Sequence, residues 1–224
     1  LPAAQLTSWA IITFDEMVDA NFVRLTVNTI LLGISAAFLS VLLAVFLAYG
    51  KRMLAKPSVF VSIRIAAIGY AIPGTVVAVG IIIPFAWLDN SVDQFMRDRF
   101  DISTGLLLSG TLFAVMFAYM VRFLAVSLQT IESGLGKIKP SMDDAARSLG
   151  YSPRQTLFKI HMPLMKGSLL TALLIVFVDV MKELPATLIL RPFNFNTLAV
   201  RAFELASDER LADSSTAALM IVAV

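Results

Sequence analysis

The chain alternates long apolar runs with short polar ones, and each run can be measured against a bilayer. From Leu25 to Gly50 no residue is charged. Wound as a helix at about 1.5 Å per residue, that stretch reaches about 39 Å, enough to cross a hydrocarbon core of ~30 Å with some tilt. Further charge-free runs cover 65–88 and 102–121; a fourth apolar run starts near Leu164, and a last one begins near Asp213 and stops at Val224. The pattern predicts an all-α polytopic membrane protein with about five transmembrane helices, the fifth truncated. Leu1 is not a methionine and the last run is short, so the chain reads as a fragment cut at both ends.

The polar intervals orient these spans. Residues 1–24, with Trp9, Phe14, Asp15, Glu16 and Asp19, read as an interfacial lead-in. Lys51, Arg52, Lys56 and Arg64 follow the first span with no acidic residue among them. The excess of positive charge on cytoplasmic loops therefore puts 51–64 in the cytoplasm and the N-terminal end of the chain in the periplasm. The interval 89–101 carries four Asp against two Arg and suits an exterior loop, either simply solvated or touching a receptor. In 122–166, Arg122, Lys137, Lys139, Arg147, Arg154, Lys159 and Lys166 outnumber Glu132, Asp143 and Asp144, which returns that segment to the cytoplasm. Residues 185–212 are exterior again, with a short helix expected over about Thr197–Ala206.

Two spans carry residues that a lipid-facing helix disfavours. Pro73 lacks a backbone donor and keeps Ile72 out of helical geometry, so the second span should break there. Its neighbours Gly69, Gly74, Gly80 and Pro84 fit either a kinked, closely packed helix or backbone at Pro73-Gly74 opened onto a solute path. The fourth span contains Asp179, Lys182 and Glu183. Each charge costs on the order of 2.5–3.5 kcal/mol at a helix centre, so they should face protein or water. Spacings of three and four put both on the face of Asp179, so Lys182 can pair with it. They form either a self-neutralised helix end or a gate on the translocation path. Two carboxylates alone under-ligate a metal, and no metal site is assigned.

Between the third and fourth spans lies the polar island KPSMDDAARSLGYSPRQTLFKIHMP. Ser141 and Asp144 have capping-box spacing, Gly150 is a natural left-handed stop, and Ser152-Pro153 with Gln155 can start a second helix that Met162-Pro163 redirects. The island should fold as two short helices at an angle, a knob over 137–166. Asp144-Ala145-Ala146, three residues, Gly150, nine residues, Ile160, one residue, Met162-Pro163 resembles the EAA loop of ABC-importer permeases, Glu-Ala-Ala, three, Gly, nine, Ile, one, Leu-Pro. Asp144 and Met162 depart from it and keep the chemical type.

The resemblance implies that the knob is a cytoplasmic coupling helix seated in a cleft of an ATPase subunit. It implies that Asp144, Ala145, Ala146, Arg147, Ser148, Gly150, Tyr151, Ile160 and Pro163 form the contact or shape it. Ala145 and Ala146 would allow close approach, Gly150 the sharp turn, and His161 packing at the interface. AIPGTVVAVG and the stretch Asp179–Arg210 resemble permeases for ferric iron in bacteria. On that resemblance the whole of 1–224 is one permease domain of a type I importer in the bacterial inner membrane, half of a membrane dimer. Its partners would be ABC ATPase subunits, a second half (identical or fused), a periplasmic substrate-binding protein and the lipid bilayer. The solute would be ferric iron; relatives of the family carry thiamine, sulfate, molybdate or polyamines. An ion-coupled secondary transporter using Asp179 and Glu183 is the competing reading.

Composition sharpens these expectations. With 58% hydrophobic and 15% charged residues the chain is too apolar for a soluble domain. It has no cysteine and a single His161, which argues against disulfides, zinc chemistry and a membrane enzyme. The net charge of +2 is held in particular loops, with no basic stripe for nucleic acid. Gly136-Lys137-Ile138 lacks the Gly before and the hydroxyl after that a phosphate-binding loop needs, so the chain reads as a transport subunit without a cofactor, driven by ATP hydrolysis on a partner.

Overall fold

The computed structural model describes residues 2–54 and 56–223. Among them the chain is helical, without strands. In order the helices are α1 (Pro2–Met17), α2 (Ala20–Leu54), α3 (Pro57–Ala66), a 3₁₀ stretch (Ala67–Ala71), α4 (Gly74–Phe100), α5 (Leu112–Gly136), α6 (Pro140–Ser148), α7 (Pro153–Thr156), a π turn (Leu157–His161), α8 (Met162–Leu164), α9 (Lys166–Met181), α10 (Pro185–Leu190), α11 (Leu198–Ser207) and α12 (Leu211–Ala223). α2, α4 and α5 are long and apolar enough to cross a membrane, and a fourth span results if the bent pair Pro153–Leu164 and Lys166–Met181 is one. The fifth run is α12, which is only 13 residues long.

Two spans differ from their expected limits. α4 continues through Asp89–Arg99, which the charges had assigned to a loop, because nothing there breaks a helix. The loop is instead 101–111, whose apolar Leu106, Leu107 and Leu108 read as part of the third span. Gly105 and Gly110 there take positive φ, +62° and +67°, which a helix does not allow. The third span therefore starts at Leu112 and runs on to Gly136.

The chain divides into two compact units. The first comprises 1–34, 73–118 and 178–224. In it α1 and α11 pack on α12, α10 packs on α4, and Leu25, Leu198 and Ala217 form a small core. Asp89 and Asp93, one turn apart on α4, hold the 101–111 loop. Asp89 is buried and accepts the amides of Leu107, Leu108 and Ser109 at 3.1, 2.9 and 2.8 Å together with the Ser109 hydroxyl. Asp93 accepts those of Thr104 and Gly105 at 2.7 and 3.1 Å.

The second unit comprises 35–72 and 119–177. Its core joins Val41, Ala44 and Ala48 of α2 to Leu124, Leu128 and Ile131 of α5 and Ala172 of α9. Ala36, Ser40, Ala44 and Ala48 recur every four residues on α2 and are all buried, the small-residue stripe that lets helices without a hydrophobic driving force approach closely. Gly69 sits where the 3₁₀ stretch meets α5. A Cβ added there would lie 2.0 Å from the Val121 carbonyl oxygen.

Candidate functional site

The 140–163 knob is built from local signals. Lys139 is extended (ψ 141°) and Pro140 takes the first helical position, so α6 starts one residue earlier than a Ser141 cap requires. The Ser141–Asp144 capping box is consequently not formed: α6 has no side-chain cap, and Ser141 lies inside it. Its end follows expectation. Gly150 adopts φ +79°, the Gly150 amide reaches the Arg147 carbonyl at 3.0 Å, and the Tyr151 amide reaches that of Ala146 at 3.0 Å. Ser152 and Gln155 then close a reciprocal capping box on α7, at 3.3 and 2.8 Å. The chain runs through Pro163 and turns at Met165, where Pro153–Leu164 and Lys166–Met181 meet at 76°.

Asp144, Ala145, Arg147 and Ser148 form an exposed polar face with Gly150 and Tyr151 beside it. Asp144 pairs with Arg147 at 3.0 Å, but both side chains are more than 70% exposed, so the pair contributes little. Ala146 is buried within the chain, and its small side chain serves internal packing; the expectation that it meets a partner surface is not met by this geometry. Ile160 is half-buried and Pro163 exposed.

Behind that face lies a partly buried polar cluster that sequence reasoning missed. Arg52, at the end of α2, donates to Asp143 at 2.9 Å and to the carbonyls of Leu135 and Ile138 at 2.7 and 2.9 Å. Asp143 in turn lies 2.7 Å from Nε2 of His161, a separation that needs a proton between the atoms although the ring is poorly aligned for a hydrogen bond. Burial holds the His161 imidazole below its usual pKa, and the Asp143 carboxylate opposes that shift. His161 is thus more than a packing residue. Tyr49, one turn before Arg52, meets the His161 ring edge-on and donates its hydroxyl to the Pro153 carbonyl at 2.7 Å. Lys51 pairs with Glu132 at 2.6 Å. The partners that α2 meets lie 81 to 112 positions along the chain and leave no local pattern; the one available signal was a lone histidine among apolar residues, which needs a polar partner once buried.

The second group of expected residues lies in the other unit. The backbone leaves helical geometry at Ile72 (ψ 132°), Pro73 is extended (ψ 141°), and buried Gly74 opens α4. Asp179 and Lys182 pair at 2.9 Å as expected. α9 ends at Met181, so Lys182 and Glu183 both lie beyond it and Glu183 serves a different contact. It is buried, accepts the Ala186 amide at 3.2 Å, and its carbonyl accepts the Thr187 hydroxyl at 2.6 Å, so it caps α10.

A sequence model described as "Binding-protein-dependent transport system inner membrane component" matches residues 30–224. The chain belongs to that family. This makes it a multi-pass inner-membrane component of a transport system, in keeping with its long apolar helices. It is 24% identical over 99% of its length to an Fe(3+)-transport system permease protein of Haemophilus influenzae, and covers 41% of that relative. It is 29% identical over 69% of its length to a Salmonella typhimurium protein named for 2-aminoethylphosphonate transport, covering 52% of it, and 26% identical over 71% to a spermidine/putrescine transport permease homologue of Mycoplasma genitalium. The chain thus spans about half the length of these relatives or less. A bacterial alginate ABC transporter, solved in complex with an alginate-bound periplasmic protein, has a chain of the same fold: TM-score 0.73, 14% identity, 99% of this chain and 85% of that chain covered.

Proposed function

We propose that this permease forms half of the translocation path of an ATP-driven importer and that α6, with the turn at Gly150, docks on an ATPase subunit. The observation that carries the reading is the knob itself: a nine-residue helix with its polar face outward, ended by a left-handed glycine and backed by a partly buried ion-pair cluster. Such a body can be pushed without deforming. Since the knob residues match the EAA spacing, Asp144, Ala145, Arg147, Ser148 and Tyr151 are the contacting set, with Gly150, Ile160 and Pro163 holding its shape. The knob and 51–64 then face the cytoplasm and the N-terminal end the periplasm, where a substrate-binding protein delivers the solute. The second half is another copy or a fused repeat. Ferric iron is the favoured solute, supported by the relative matched over nearly the whole chain; the phosphonate and polyamine relatives define the alternatives.

The test uses Ala145→Cys, exposed on α6, in the full-length permease co-expressed with candidate ATPase subunits. Cross-linking to one ATPase that changes between nucleotide-free and ATP-trapped states is expected. Uptake that persists with no ATPase present, and no cross-link to any candidate, would overturn the reading.

A further inference from the structure

Chain connectivity gives α6 two obvious outputs, α5 before it and α9 after it. The contacts around Arg52 add a third. We propose that Arg52, with Asp143, His161 and Tyr49, clamps the end of α2 to the knob so that the two move as one body, and that Arg52 is the positioning residue through which the stroke of α6 reaches the first span. The inference rests on the coupling reading above.

The clamp is specific in its chemistry. The Arg52 guanidinium spends its donors on three targets at once: the Asp143 carboxylate of α6, the Leu135 carbonyl in the last turn of α5, and the Ile138 carbonyl in the link between them. Helix ends leave carbonyls without intrahelical partners, and a planar fork of donors fills them in a way a lysine cannot. Asp143 receives Arg52 on one oxygen and has His161 2.7 Å from the other, which brings α6 back against the turn before α9. Tyr49 reaches the first residue of α7 by its hydroxyl. One turn of α2, Tyr49 to Arg52, therefore reaches the end of α5, the link after it, α6, the start of α7 and the His161 turn. The Arg52 and Asp143 side chains are 17% and 13% exposed, partly shielded from water.

The experiment uses the full-length permease assembled with its ATPase. With any cysteines elsewhere in the assembly replaced, Met53→Cys and Ser141→Cys, both at exposed positions of a stretch that itself has no cysteine, take spin labels selectively. A clamp moving as one body keeps the label separation within about 2 Å between nucleotide-free and ATP-trapped states, whereas a slide of one helical turn, about 5 Å, overturns the proposal. In parallel Arg52→Gln with Asp143→Asn removes both charges together and leaves no lone buried ion. Hydrolysis is expected to continue while solute taken up per ATP falls by about tenfold or more, with Arg52→Lys intermediate. A lowered melting temperature with an unchanged uptake-to-ATP ratio would make the cluster purely structural and overturn the clamp. The Ala145 cross-link separates the two failures: if it responds to nucleotide while either clamp readout fails, only the clamp is wrong; if it is absent, the coupling reading falls first.

Discussion

At the scale of single residues, Gly69 carries the sharpest expectation. Its missing side chain lets the 3₁₀ stretch rest on the backbone of α5, and the Cβ of an alanine would meet the Val121 carbonyl oxygen at 2.0 Å and its carbon at 2.8 Å. A flexible side chain could yield, but a helix carbonyl cannot without shifting α5. Gly69→Ala is therefore expected to destabilise by about 3 kcal/mol or more, at the upper end of overpacking effects. Gly80→Ala, where a Cβ meets nothing within 4 Å, is expected to be neutral or stabilising by up to about 1 kcal/mol. Thermal unfolding of the two variants in detergent checks the contrast, and equal melting temperatures would refute it. The sequence showed that the second span is rich in small residues; it could not show which of them touches backbone. Ser152 and Gly150 were legible because a cap and a left-handed stop depend on neighbours in the chain. Ser141 failed as a cap because Pro140 has the stronger claim on the first helical position and moves the start of α6 ahead of it.

At the scale of elements, the segment α4 to α5 shows where hydropathy and helix formation part company. Charges mark where a span leaves the bilayer, not where its helix ends, so α4 carries Asp89 and Asp93 onward and uses them. The two carboxylates satisfy five backbone amides of a loop that makes no helix of its own. Leaving a buried amide without its acceptor costs about 1–3 kcal/mol, so Asp89, at 2% exposure, matters most. In Asp89→Asn one acceptor oxygen becomes an NH₂ group that faces amide donors. The expected result is faster hydrogen exchange at Leu107 to Ser109 with α5 unaffected, read by mass spectrometry. Unchanged exchange would mean the loop is held by other contacts. The acidic run in 89–101 that could be read as a receptor surface thus has an internal task for two of its four aspartates. The break at Pro73 and the helix after Thr197 were legible for a different reason: proline geometry and a threonine cap act within a few residues.

At the scale of the whole molecule, the sequence order of the spans hides the division into two units, whose limits fall inside α2, α5 and α9. Burial across distant segments decides it, and hydropathy along the chain carries no record of such pairings. The competing ion-coupled mechanism is tested at this scale, because it needs a carboxylate that takes up and releases a proton during each cycle. Glu183 is occupied as the cap of α10, and Asp179 has Lys182 at 2.9 Å beside it with the lysine side chain 63% exposed. A pair with one exposed member is worth up to about 1 kcal/mol, so Asp179→Asn is expected to change uptake by less than about fivefold. Uptake by that variant, measured in vesicles loaded with ATP, is expected to keep its full dependence on ATP and to survive collapse of the proton gradient. Loss of uptake in the variant, together with wild-type uptake abolished by a protonophore at constant ATP, would instead make the Asp179–Glu183 turn the coupling site. That outcome would leave the knob without a motor and assign the burial of Arg52, Asp143 and His161 to stability alone.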